Sequence, residues 1–178
     1  MVIGGYWMSS SLDSVFHTIP LTELHAAEVC TWIYEPPYNI YGWMAWEQMK
    51  ELGIEFGDPI IREEQYLSVL DKHEQLAGFA QLFPLGDTIR LGIGMRPDLC
   101  GHGYGEEFVR AIVQTAQERS ATAEIDLEVL TWNQRAIRTY QKADFYITDM
   151  YERRTPDGMK PFYCMVYQAP PSARYPNL

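Results

Sequence analysis

Leu91-Gly92-Ile93-Gly94-Met95-Arg96-Pro97-Asp98-Leu99-Cys100-Gly101-His102-Gly103-Tyr104-Gly105-Glu106-Glu107-Phe108 reads as a strand that runs into a glycine-studded turn and opens a helix. Gly101, Gly103 and Gly105, at alternate positions, let successive backbone N–H groups converge without Cβ atoms in the way. The helix dipole behind them favours an anion there. The stretch has the pattern of a phosphate cradle, with an ordinary glycine-rich strand-to-helix turn as the alternative. Its spacing excludes two familiar phosphate loops. A P-loop needs Lys and then Ser or Thr after its last glycine, where this chain has Glu106 and Glu107. A dinucleotide fingerprint needs its last two glycines three apart, and here they are two apart.

Downstream, Glu124-Ile125-Asp126-Leu127-Glu128-Val129-Leu130 alternates apolar and acidic residues as a half-buried strand does, and a helical pattern starts after Thr131-Trp132-Asn133. Asn133, Ala136, Ile137 and Tyr140 fall at i, i+3, i+4 and i+7, so they share one helix face. That face presents an amide and a phenol to one groove.

These two segments, in this order and separation, resemble the GNAT superfamily of N-acetyltransferases over residues 88–145. Cys100 to Gly105 looks like the pyrophosphate-binding turn, with Cys100 where the family usually has Gln or Arg. Asn133 to Phe145 looks like the family's Asn, Ala, Tyr, Gly-Phe segment, with Asp144 in place of the Gly. The resemblance implies acetyl-CoA as cosubstrate, held by Cys100, Gly101, His102, Gly103, Tyr104 and Gly105 at its pyrophosphate. Backbone groups near Met95 and Pro97 would pair with the pantetheine amides as an added strand. It also implies that the strands 88–95 and 124–130 run parallel and splay apart, leaving a cleft for that arm. Asn133 and Ala136 would line the cofactor arm, with an N-cap as the alternative role for Asn133. Tyr140 would protonate the leaving thiolate, with a core tyrosine as the alternative.

The remaining chemistry is acyl transfer to an amine. An alkylammonium, which in water holds its proton up to about pH 10.4, must lose that proton before it attacks. The strand before the turn carries no carboxylate, so Glu35 and Glu128 are the candidate bases, and a relay through water and backbone carbonyls is the other route. The aromatic stretch from Trp32 to Trp43, broken at Pro36-Pro37, contributes Trp32, Tyr34, Tyr38 and Tyr41 as candidate acceptor-binding residues. Its pattern resembles a bacterial branch related to ribosomal-protein alanine and aminoglycoside acetyltransferases. A small-molecule amine and a peptide N-terminus both remain as acceptors, and a non-catalytic CoA-binding module of the same fold is the reading from another class.

Composition sets the outer limits. The chain has 178 residues, 47% of them hydrophobic and 21% charged, which suits one globular domain with a full core. A net charge of −10 argues against nucleic acid, which is bound through Lys and Arg. Arg96, Arg135, Arg138 and Lys142 are the cations near the expected anion site. No apolar run approaches a membrane span and the N-terminus lacks a basic leader, so a cytoplasmic protein is expected. Cys30, Cys100 and Cys164 read as reduced, mostly buried thiols, and His17, His25, His73 and His102 have no ligand spacing, so no metal is expected. The oligomeric state stays open, a homodimer being one option.

The expected organisation is a loose extension over residues 1–13, a single acyltransferase domain over 14–168 and a Pro-rich tail over 169–178. Within the domain a strand over 15–19 precedes helices over 22–32 and 41–52. Strands over 66–70, 76–83 and 88–95 feed the turn, and a helix over 104–119 carries Phe108, Ile112, Val113 and Ala116 as a core stripe. Strand 124–130, its helix, and a hairpin of 145–154 with 161–168 close the chain. The fold class is α+β, a mixed and mainly antiparallel sheet flanked by helices in three layers.

Overall fold

The computed structural model describes residues 15–170, so the extension expected over 1–13 and the tail from 171 onward lie outside the described residues. Among the described residues seven strands form one sheet: β1 (Phe16–Pro20), β2 (Tyr66–Asp71), β3 (Leu76–Leu85), β4 (Thr88–Met95), β5 (Glu124–Leu130), β6 (Phe145–Thr155) and β7 (Gly158–Tyr167). Their order is β1-β2-β3-β4-β5-β7-β6. Only the β4–β5 pair is parallel. This is the mixed, mainly antiparallel α+β sheet expected, and five α-helices among the described residues flank it: α1 (Glu23–Val29), α2 (Trp46–Leu52), α3 (Pro59–Gln65), α4 (Gly105–Arg119) and α5 (Gln134–Lys142).

Strand alternation builds two cores. One face of the sheet, with Leu67, Ala80, Leu91, Leu127 and Val129, packs against Phe108, Ile112, Val113 and Ala116 of α4 and Ile137 of α5. The other face, with Tyr66, Leu70 and Phe79, packs against Ala26 and Val29 of α1, Met49 of α2 and Phe56. The expected stripe on α4 is therefore core.

Both N-terminal helices are shorter than expected. Helix α1 stops at Val29 because Thr31 and Trp32 N–H turn back in tighter three-residue bonds to Glu28 and Val29, and Trp32 then packs on Phe79 with centroids 6.3 Å apart. Helix α2 begins only at Trp46, and Tyr38–Tyr41 forms a 3₁₀ turn, because Trp43 leaves helical register to set its ring 4.9 Å from that of Phe56. Gly53 closes α2 in the left-handed region as a C-cap. Helix α3 was not expected, although Asp58-Pro59 announces it: the Asp58 carboxylate accepts the Ile60 and Ile61 N–H groups, and Pro59 sits at the first helical position. Asp144 holds φ at 65° between α5 and β6, and its carboxylate accepts Arg110 at 2.8 Å, tying that turn to α4. The three cysteines are free and half-buried. No helix among the described residues is long and apolar enough to cross a membrane.

Candidate active site

Strands β4 and β5 pair only from Thr88↔Glu124 to Leu91↔Leu127. Beyond that point β4 stays on β3 as far as Met95 and β5 stays on β7 as far as Leu130, so the parallel neighbours part. In an antiparallel ladder the main-chain groups of alternate residues point to alternate sides. Arg96 N–H bonds the Ala77 carbonyl at 2.8 Å, which places Gly92 and Gly94 toward β3 and turns the main-chain groups of Ile93 and Met95 into the gap. A cavity of about 660 Å³ occupies this gap. It is lined by Ile93 and Val129 from one face of the sheet and by Gln81, Gly94 and Glu128 from the other, so it passes through the sheet.

The glycine turn lies at one end. Gly101 and Gly103 take φ of 81° and 88°, and a Cβ at either would meet nothing within 4 Å, so their backbone faces open space. Gly105 lines the cavity and also lets α4 approach α5 closely, since a Cβ there would lie 2.6 Å from Thr139 Cγ2. The first turn of α4 adds unpaired N–H groups and the positive end of the helix dipole. Glu106, which opposes an anion there, is paired with Arg110 at 3.1 Å. Cys100 turns its thiol back toward the Met95 and Arg96 carbonyls, and burial raises the thiol pKa, so the position brings no cation. Of the four candidate cations, Arg135 and Lys142 line the cavity, Arg96 is held by Asp98 and the Leu76 carbonyl, and Arg138 lies off the wall. His102 and Tyr104 are exposed and also off the wall. The Pro97 carbonyl accepts Cys100 N–H inside a 3₁₀ turn, leaving Met95 as the residue of that pair with its main chain in the gap.

Helix α5 supplies the far wall through Asn133, Ala136 and Tyr140. Asn133 is 7% exposed and does two things: its Oδ1 accepts Ala136 N–H as an N-cap, and its Nδ2 donates to Tyr41 Oη at 3.1 Å. Tyr140 packs its ring on Phe145, and its hydroxyl has no hydrogen bond among the described residues. Burial, and then the Tyr41 phenol beside it, push its pKa above the ordinary value of 10. The phenol is thus held in its protonated, donating form.

The loop between α1 and α2 crosses the gap as a strap. Tyr34 donates to the Met95 carbonyl at 2.8 Å, Arg135 lies 3.8 Å over the Tyr38 ring, and Tyr41 meets Asn133. Tyr34, Tyr38 and Tyr41 all line the cavity. Trp32 does not: it belongs to the packing against Phe79. Glu35 is exposed beside a smaller cavity of about 250 Å³ under the same loop. Glu128 does line the main cavity but is already engaged, accepting Arg90 Nη1 at 2.9 Å together with the Tyr151 hydroxyl and Arg153. The other arms of Arg90 hold Asp126, which is 4% exposed, at 2.6 and 3.0 Å. Sequence reasoning missed this cluster, although the acidic side of β5 was its visible half. Gln81, Tyr66 and Phe162, which complete the cavity beyond Glu128, were missed as well because they come from three separate strands. Among the described residues no three His, Cys, Asp or Glu side chains are grouped to hold a metal ion.

The acetyltransferase (GNAT) family model matches residues 25–145. No curated protein sequence matches the chain. In fold the chain is similar to the spermidine N-acetyltransferase from Vibrio cholerae in complex with CoA and spermine, with a TM-score of 0.65 and 14% identity over 86% of this chain and 95% of that one. A dodecameric structure of the Vibrio cholerae enzyme in an intermediate state is similar too, at 0.63 and 14% over 86% and 94%. So is a GNAT-family acetyltransferase from Bacillus anthracis, at 0.53 and 15% over 61% and 68%.

Proposed function

Since the chain belongs to the GNAT family of acetyltransferases, we propose that it moves an acetyl group from acetyl-CoA to the primary amine of a small molecule. One observation carries the reading: β4 and β5 part directly beside the glycine turn, with the Ile93 and Met95 main chain turned into the gap and a hydroxyl on Tyr140 that has no internal partner among the described residues. The turn and the N-terminus of α4 suit a pyrophosphate, with Arg135 and Lys142 as the cations on the wall. Main-chain groups of Ile93 and Met95 suit the amides of a pantetheine arm, which would lie as an extra strand where β5 has turned away.

Chemically, the free amine attacks the thioester carbon, the C–N bond forms and the C–S bond breaks. The sulfur leaves as a thiolate and takes the Tyr140 proton, while the attacking nitrogen loses its proton to water. Water is the better base here because both oxygens of Glu128 are engaged and Glu35 stands in the neighbouring cavity. Closure of the gap by Tyr34, Tyr38 and Tyr41 supports a small molecule over a peptide N-terminus, which needs an open groove. Titration calorimetry with acetyl-CoA, against ATP as control, tests the reading. Saturable micromolar binding, about −8 kcal/mol, is expected for acetyl-CoA. Absent binding, or equal binding of ATP, overturns it.

A further inference from the structure

We infer that the acceptor taken by the far arm of the cavity is a monoamine carried on an aromatic or apolar body, and that polyamines are disfavoured there. The inference rests on the acetyl-transfer reading above. Beyond the gap the walls are Trp43, Tyr66, Phe79 and Phe162, with Gln81 as the neutral polar group. Phe79 is 7% exposed and Trp43 meets it edge-on at 6.0 Å, so these rings form a fixed apolar surface.

The charges at this end cancel one another. Among the described residues Glu128 is the one carboxylate on this part of the wall, since Glu106, Arg135 and Lys142 lie on α4 and α5. One Glu128 oxygen accepts Arg90 and the Tyr151 hydroxyl, and the other accepts Arg153. Asp126 takes the remaining nitrogens of Arg90. Two guanidinium groups therefore face two carboxylates, with no acidic oxygen left over. The next acid, Glu55, accepts the Tyr66 hydroxyl at 2.5 Å and is not on the wall.

A polyamine brings charges besides the reacting nitrogen, and each would leave water without a carboxylate to meet it. Aromatic faces attract one ammonium, but they do not neutralise several. A monoamine only has to shed its proton, and its ring finds matching walls. Arg153 on the edge strand β6, with its side chain 56% exposed, is the group that closes the second Glu128 oxygen.

The test is calorimetry of the CoA-loaded protein with phenethylamine and with spermidine, repeated on Arg153→Ala. Wild type should bind phenethylamine more tightly by about tenfold or more. The variant should narrow that ratio by strengthening spermidine, because it frees a Glu128 oxygen. Tighter binding of spermidine by wild type, or a ratio unmoved by Arg153→Ala, overturns the inference while leaving the acetyl-transfer reading in place. Failure to load CoA removes both.

Discussion

Replacing Tyr34 by Phe should weaken the fold and tighten acetyl-CoA at the same time. The Tyr34 hydroxyl donates to the Met95 carbonyl at 2.8 Å, and burial keeps that phenol protonated. The same carbonyl is turned into the gap, where the pantetheine amide is proposed to bind. A net hydrogen bond of this kind is worth about 0.5–1.5 kcal/mol, and Phe keeps the ring that lines the cavity. Losing it should lower the melting temperature by about 2–4 °C for a chain of this size. In the wild type the arriving amide must displace the phenol, whereas in Tyr34→Phe it meets a free acceptor. The gain of about 1 kcal/mol corresponds to roughly fivefold tighter acetyl-CoA. Parallel titration calorimetry and thermal melts of the two proteins read both quantities. If the melt falls but acetyl-CoA binds equally or more weakly, the carbonyl of Met95 is not where the cofactor arm pairs, and the added-strand picture is refuted.

Four further outcomes follow from the geometry. Tyr140→Phe should lower kcat by about a hundredfold with acetyl-CoA affinity nearly unchanged. Because burial raises the Tyr140 pKa above 10, its protonated form persists as pH rises, so kcat should show no descending limb up to pH 10; such a limb would remove Tyr140 as the donor. Asp126→Asn leaves Arg90 with Glu128 alone and should cost about 2 kcal/mol in urea unfolding, below the range for fully buried pairs because the Arg90 side chain is 29% exposed. An unchanged midpoint would show that Glu128 suffices to hold the guanidinium. Gly94→Ala places a Cβ 2.2 Å from Phe79 Cε1, in a ring hemmed in by Trp32, Trp43 and Phe56. It should cost about 1–3 kcal/mol and raise KM for the amine more than for acetyl-CoA; equal effects on the two would place Phe79 outside the acceptor arm.

Several elements were legible because their causes are local. The glycine turn, the Asn133 cap and the stripe on α4 each depend on residues within a few positions of one another, and each stands where the pattern put it. Helix α3 was equally legible in Asp58-Pro59 and went unread. The ends of α1 and α2 were not legible, since Trp32 and Trp43 leave helical register to reach Phe79 and Phe56. Propensity over a short window cannot see such partners.

By itself, the sequence determined the family and the place of the glycine turn, because a strand-to-helix turn that leaves backbone N–H groups clear of Cβ atoms needs only glycines at set spacings before a helix. Tertiary structure alone decided what surrounds that turn. Tyr34 meets Met95 across 61 residues and Tyr41 meets Asn133 across 92, and these contacts convert a cleft into a strapped cavity. Glu128, a candidate base from its place on β5, has its charge countered by Arg90 and by Arg153 on two other strands. The availability of a carboxylate depends on which cations the sheet brings against it, and strand order is a property of the whole fold.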